Sequence, residues 1–117
     1  MPSFITVGGI SAALAVALGA FGAHGLSKSL SPERLNLWET AARYHLLIAL
    51  ATALFGVLRL YKPGGAGSGV LLSIGSLAFS GSLYALALGA PRWLGAITPL
   101  GGLCLIAGLL AFAWAGR

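Results

Sequence analysis

Long apolar runs, separated by short clusters of polar residues and glycine, dominate the pattern of this chain of 117 residues. Three of the runs contain no Asp, Glu, Lys or Arg, and they cover residues 4–26, 70–90 and 94–115. A helix needs about 20 predominantly apolar residues to cross the hydrocarbon core of a bilayer. Each of the three runs therefore predicts a membrane-spanning helix.

A further spanning helix is predicted over residues 36–61, although its uninterrupted apolar part is short. Only residues 46–58 are free of ionisable groups, a length of about 20 Å at 1.5 Å per residue. Ser31 suits a helix N-cap and Pro32 suits the first helical position. Nothing breaks the helical pattern before the link KPGGAGS. We therefore expect one long helix from Pro32 to about residue 61, whose first two turns lie along the membrane interface.

The links between the predicted helices are short, and they read SKSL, KPGGAGS and PRW. Short links make sequential helices antiparallel neighbours and leave no room for a soluble domain. The predicted fold class is all-α, an integral membrane four-helix bundle that occupies residues 1–117 as a single domain. The first run lacks a positively charged leading region, so we expect it to be retained and not cleaved as a signal peptide.

The composition supports the membrane class, because 58% of the residues are hydrophobic and only 8% are charged. Soluble domains carry about 25% charged residues. The net charge is +5, but the basic residues are scattered and form no patch of the kind that binds nucleic acid. The expected partners are therefore membrane lipids and not nucleic acid. Cys104 is the only cysteine, which excludes an intrachain disulfide, and no pattern predicts a metal or cofactor.

Most polar residues of the chain are predicted to meet at one membrane face. This face receives the ends of the first and third helices and the starts of the second and fourth. The candidate ligand-binding residues there are His24, Glu39, Arg43, Tyr44, His45, Tyr84 and Thr98.

Two orientations of the second helix are possible at this face. Glu39 precedes Arg43 by one turn, the favourable order for an ion pair, and His24 is placed to bond Glu39. His45 lies about 200° around the helix from Arg43, so the two cannot both face the bundle centre. With Glu39 and Arg43 inward, His45 and Trp38 form an outward pair. Alternatively, the charged groups reach water and the aromatic rings anchor the helix ends at the interface.

Small residues recur along the predicted helices at the three- and four-residue spacing that lets helix backbones approach. The predicted helix-packing residues are Gly19, Gly22, Gly25, Ser76, Ser80, Gly101 and Gly102. The serines of the third helix form a hydroxyl stripe that can bond to a neighbouring helix, with a polar translocation path as the alternative. The glycine faces and an outward Trp38 also fit a homo-oligomer.

Four sequence blocks carry a family resemblance. They are LGAFGAHGL, W-x-T-A-x-x-Y-H, FSGSLYALAL and LGAITPLGGLCLIAG, which begin at residues 18, 38, 79 and 94. In this order they resemble the domain-of-unknown-function 423 family, small membrane proteins similar to eukaryotic transmembrane protein 256. The resemblance implies a four-helix membrane protein of undetermined biochemical role. Members often carry a histidine four residues after the tyrosine, where this chain has Ile48 and instead places His45 beside Tyr44.

Binding or transport of a lipid or small amphiphile is the favoured function, with Arg43 as an anion contact. A structural role in a homo-oligomer without its own substrate is the alternative. A proton-coupled cation exporter needs a carboxylate within the membrane, whereas Glu33 and Glu39 both lie near one interface. No metalloprotease or nucleophile motif indicates an enzyme. The expected location is a cell membrane, with the bacterial plasma membrane and cytoplasmic termini favoured.

Overall fold

The computed structural model describes residues 3–117, and this part of the chain forms four long helices. They are α1 (Phe4–His24), α2 (Pro32–Tyr61), α3 (Gly67–Ala87) and α4 (Ile97–Ala115). Short 3-10 turns at Leu26–Lys28 and Arg92–Ala96 lead into α2 and α4. All four helices are long and apolar enough to cross a membrane. The predicted all-α fold of four membrane-spanning helices is confirmed.

The extent of α2 follows from its sequence. The Ser31 side chain accepts a hydrogen bond of 3.3 Å from the backbone N–H of Arg34, and Pro32 occupies the first helical position. Glu33 lies in the first turn, where a carboxylate complements the positive end of the helix dipole. The helix ends at Tyr61, just before the link KPGGAGS. The observed helix therefore has the length that the capping residues predict.

The observed α3, Gly67–Ala87, begins and ends three residues earlier in the chain than the predicted span 70–90. Tertiary contacts at its first turn explain the difference. Gly69 lies against the ring of Phe4, so closely that a Cβ at this position would overlap the ring. The Ser68 hydroxyl donates to the carbonyl of Gly108 at 2.8 Å. Gly89 follows the helix with a φ of 101°, a left-handed conformation that favours glycine and ends the helix.

Sequential helices pack side by side, α1 on α2, α2 on α3 and α3 on α4. Most buried residues belong to α2 and α3, whereas α1 and α4 bury only three residues each. Large apolar side chains such as Ile10, Leu103 and Leu110 are more than half exposed. In a bilayer these side chains face lipid tails, which are as apolar as the side chains themselves.

Glycines allow α1 to approach α2 closely. A Cβ at Gly22 would overlap the Trp38 ring, and a Cβ at Gly8 would overlap the backbone of α2. Gly19 faces α2 at an ordinary van der Waals distance. Gly25 is exposed and lies against its own helix. Gly56 of α2 lies equally close to the backbone of α1 at Ile5, so the approach of the two backbones depends on Gly8 and Gly56, while Gly22 makes room for the Trp38 ring.

The contact between α3 and α4 is similarly close. Gly101 lies against the backbone of Phe79 and Gly108 lies against Leu72, which leaves no free space for a Cβ at Gly101. Gly102 touches only the edge of the Phe79 ring. Leu72 is completely buried between the helices. These contacts hold α3 and α4 together as a tight pair.

Candidate functional site

His45 is held between two hydroxyl groups in the interior of the helix assembly. Its Nε2 lies 2.9 Å from the Ser11 hydroxyl of α1, and its Nδ1 lies 3.0 Å from the Tyr84 hydroxyl of α3. Only 9% of the residue is exposed. A hydroxyl can donate or accept, so either neutral tautomer of the imidazole satisfies both bonds. The side chain of one α2 residue therefore connects the two helices on either side of α2.

The buried face of α2 explains the position of His45. The buried residues of this helix recur at spacings of three and four, the period of a helix with one packed face. They are Trp38, Ala41, Ala42, His45, Ile48, Ala49, Thr52, Phe55 and Gly56. Because alanine and glycine make up much of this face, neighbouring backbones approach it closely and enclose the imidazole.

Trp38 lies on the same buried face of α2, seven residues before His45, and is only 4% exposed. Its indole N–H donates to the carbonyl of Leu18 at 2.8 Å. Its ring packs edge-on against Tyr84, with 4.7 Å between ring centroids. Each polar atom of the Trp38 and His45 side chains therefore has a partner inside the protein.

The prediction that Glu39 and Arg43 face inward, with His45 and Trp38 outward, is wrong. His45 and Trp38 are buried, whereas Glu39 and Arg43 are exposed. Burying an ion pair costs free energy for the desolvation of both charges, while the indole and imidazole find neutral hydrogen-bond partners. The charged groups instead extend away from the packed helices, as long charged side chains do near membrane boundaries.

A cleft of about 530 Å³ opens between α1 and α3, with His45, Ala49 and Thr52 of α2 as its floor. Residues 7–18 of α1 and residues 73–84 of α3 supply its walls. The rim includes Leu14 and Leu77, which are more than half exposed. Because these rim side chains lie on the outer surface of the helix assembly, the cleft opens sideways, towards the hydrocarbon region of the bilayer.

Hydroxyl groups line the α3 wall of this otherwise apolar cleft. Ser73, Ser76 and Ser80 occupy successive turns along it. Ser80 donates to the carbonyl of Ala41 at 3.0 Å. The Ser73 hydroxyl is buried and has no hydrogen-bond partner within residues 3–117. Since buried polar groups are nearly always paired, Ser73 is an exception, an unpaired hydroxyl that the surface of the cleft covers.

Of the seven predicted ligand-binding residues, His45 and Tyr84 line the cleft. Four others are exposed and lie outside it: His24, Glu39, Arg43 and Tyr44. Thr98 is half-buried and shares a hydrogen bond with Ser82 at the contact between α3 and α4. The predicted polar face is thus divided between an exposed charged surface and a deeper neutral site.

Sequence reasoning missed Ser11 and Thr52 as members of the site. Ser11 is an isolated hydroxyl in the middle of the charge-free run of α1, and Thr52 lies seven residues after His45 on the buried face of α2. The lone hydroxyl of Ser11 in an apolar run and the seven-residue spacing of Thr52 from His45 are the sequence signals that could have identified these two residues. Within residues 3–117, no three His, Cys, Asp or Glu side chains come together in a way that could hold a metal ion.

Proteins from several organisms are similar to this chain in sequence. A family described as "Protein of unknown function (DUF423)" matches residues 18–102. A UPF0382 membrane protein of Staphylococcus haemolyticus is 44% identical over 111 residues, 94% of this chain and 91% of the relative. UPF0382 membrane protein YwdK of Bacillus subtilis is 48% identical over 110 residues, 91% of this chain and 89% of the relative.

A more distant relative comes from a eukaryote. A UPF0382 membrane protein of Schizosaccharomyces pombe is 38% identical over 108 residues, 87% of this chain and 91% of the relative. No solved structure matches the chain with statistical significance. The matches confirm the resemblance carried by the four sequence blocks. Together with the four apolar helices, they identify a multi-pass membrane protein.

Proposed function

We propose that this chain, which belongs to the DUF423 family, binds a lipid or another small amphiphile in the cleft between α1 and α3. The observation that carries the proposal is the position of His45, a buried imidazole on the floor of a cleft that opens towards lipid. Ionisable side chains inside membrane spans are rare and mark functional sites by default.

The dimensions of the cleft suit an apolar chain. Its wall extends over residues 7–18 of α1, about 16 Å at 1.5 Å per residue, which is about half of the hydrocarbon thickness of a bilayer. Its volume of about 530 Å³ lies within the range of about 300–1,000 Å³ typical of small-molecule sites. Apolar walls with few polar groups are also typical of such sites, since the polar groups orient the ligand.

The polar part of the proposed ligand lies beside the hydrogen-bonded group of Ser11, His45 and Tyr84, and not beside Arg43, which the sequence favoured. Arg43 is exposed and lies outside the cleft. His45, Ser11 and Tyr84 form a connected group of polar side chains within the cleft itself. The proposed class of ligand is therefore the one expected from the sequence, but the residues proposed to bind it are different.

The experiment fills the cleft with a large side chain and leaves the helix packing unchanged. Gly81 lines the cleft, and a Cβ added there would meet no neighbouring atom within 4 Å. Gly9 is equally open and exposed but lies outside the cleft, so Gly9→Trp is a matched control. Native mass spectrometry of the purified protein measures the amphiphiles that remain bound after extraction from the membrane.

We expect wild type and Gly9→Trp to retain a bound amphiphile and Gly81→Trp to lose it. Equal retention by Gly81→Trp overturns the proposal, because the binding site would then lie elsewhere. If the structural alternative holds, cross-linking in native membranes yields a dimer or higher oligomer, and no bound amphiphile is found in wild type. That combination also overturns the proposal.

We also propose that the protein resides in a bacterial plasma membrane with both termini in the cytoplasm. Basic residues are evenly divided between the two sides, with Arg59, Lys62 and Arg117 at the terminal side and Lys28, Arg34 and Arg92 at the other, so charge alone does not orient the helices. The family resemblance supports cytoplasmic termini, because members tend to carry basic residues in the middle loop and at the C-terminus. Fusion of a reporter that is active only in the cytoplasm to residue 117 tests this orientation. Activity of the fusion supports it, and an inactive but inserted fusion contradicts it.

A further inference from the structure

We infer that the ligand of the cleft carries a neutral hydrogen-bonding group, a hydroxyl or a carbonyl, and no charged headgroup. The inference rests on the proposed function and narrows the class of amphiphile that the cleft accepts.

The distribution of charge in the protein supports this class. Among residues 3–117, none of the side chains that line the cleft is Lys, Arg, Asp or Glu. All seven basic and both acidic residues of the chain lie elsewhere. A charge buried without a partner or a bound metal is strongly disfavoured. A phosphate, carboxylate or ammonium group would find no counter-ion in the cleft.

The polar groups that the cleft does offer are neutral donors and acceptors. Both nitrogens of His45 are already bonded to hydroxyls, and each of those hydroxyls can reverse the direction of its bond. Ser76 supplies a further hydroxyl in the α3 wall of the cleft and is only partly buried. A ligand hydroxyl or carbonyl can bond to such groups without bringing a charge into the protein.

The depth of the site excludes a headgroup that must stay at the membrane surface. Ser11 is seven residues after the start of α1 and thirteen before its end, about 10 Å and 20 Å along the helix. His45 is bonded to Ser11 and therefore lies well inside the span. Placing a charge at such a depth is costly, whereas a hydroxyl or carbonyl group on a hydrocarbon chain can reach it.

The experiment compares amphiphiles that have the same chain and different headgroups. Full-length protein in nanodiscs is loaded with a fluorescent long-chain probe, and hexadecanol, hexadecyl sulfate and hexadecyltrimethylammonium compete for it. The sulfate and the quaternary ammonium stay charged at every pH used. We expect the alcohol to displace the probe at a concentration at least about tenfold lower than either charged competitor, because removing a charge from its hydration shell is costly.

The outcomes separate this inference from the proposed function. Displacement by either charged competitor as effective as displacement by the alcohol overturns the inference and leaves the cleft as the binding site. Binding of the probe by Gly81→Trp equal to binding by wild type overturns the proposed function, whichever competitor is used. Displacement by the alcohol alone, lost in Gly81→Trp, supports both.

Ser76 provides a second test at the level of one hydrogen bond, because it lines the cleft and is only partly buried. Ser76→Ala is expected to weaken hexadecanol binding by about threefold to tenfold, the effect of one neutral hydrogen bond. Ser76→Thr keeps the hydroxyl and should restore the binding. Heptadecane, which can neither donate nor accept a hydrogen bond, should bind wild type and Ser76→Ala equally. An equal loss for the alcohol and the alkane in Ser76→Ala would show a change of cleft shape and would contradict a hydrogen bond from the ligand to Ser76.

Discussion

The indole N–H of Trp38 donates to the carbonyl oxygen of Leu18 at 2.8 Å, across the contact between α2 and α1. This bond lies just beyond the cleft, where the Trp38 ring also meets Tyr84. Trp38 thus attaches α1 to the rest of the molecule and closes one end of the site.

The Trp38 hydrogen bond can be tested with a substitution that keeps an aromatic ring. Trp38→Phe removes the N–H donor and is expected to destabilise the protein by about 0.5–2 kcal/mol. Trp93 is 66% exposed, so Trp93→Phe serves as the control and should leave stability nearly unchanged. Unfolding in mixed micelles with increasing denaturing detergent measures both. Equal stability of the two variants would contradict a structural role for the indole N–H.

Close approach of α3 and α4 predicts strong sensitivity at Gly101. A Cβ at this position would overlap the backbone of Phe79, so Gly101→Ala is expected to destabilise the protein by about 1–3 kcal/mol, as overpacked cores are. Gly9 has open space around it, and Gly9→Ala should stabilise its helix by up to about 1 kcal/mol. The same unfolding experiment measures the difference. Similar effects of the two substitutions would show that helix propensity and not packing dominates.

The orientation of α2 predicts which polar residues contribute to stability. His45→Leu leaves the Ser11 and Tyr84 hydroxyls without their imidazole partner, with an expected cost of about 1–2 kcal/mol. Glu39→Gln and Arg43→Gln change exposed side chains and should stay within about 0.5 kcal/mol of wild type. The reverse order of effects would mean that the helix packs through its charged face.

The antiparallel order of the helices predicts the compartment of each exposed link. In a Cys104→Ser background, Gly65→Cys and Gly116→Cys should react with a membrane-impermeant thiol reagent from one side of the membrane. Gly95→Cys, in the turn before α4, should react only from the opposite side. All three positions are exposed, so access to the reagent is not limited by packing. Reaction of all three from a single side would exclude four crossings.

The membrane helices and the limits of α2 could be predicted because local signals determine them. Uncharged runs of sufficient length define the spans, and Ser31 with Pro32 defines the start of α2. The start of α3 could not be predicted in this way. Gly67 and Gly69 resemble a link in the sequence, and only the contact of Gly69 with Phe4 explains why a glycine is needed inside the first helical turn.

To predict the orientation of His45, one has to decide which of two faces of α2 is buried. The helical period separates His45 from Arg43 but does not say which of them is buried. The small residues provide the missing information, because Ala41, Ala42 and Ala49 lie on the same face as His45. A face rich in alanine can approach neighbouring backbones, and the polar side chain within it then has to find partners there.

The contact of Phe4 with Gly69 lies one helical turn below the cleft walls, on the side away from Trp38. Aromatic side chains therefore obstruct the cleft at both of its ends, and its opening is lateral. A molecule held there would exchange with the surrounding leaflet and not with the aqueous phase. Its occupancy would follow its mole fraction among the membrane lipids, so that the protein would respond to the make-up of the bilayer itself.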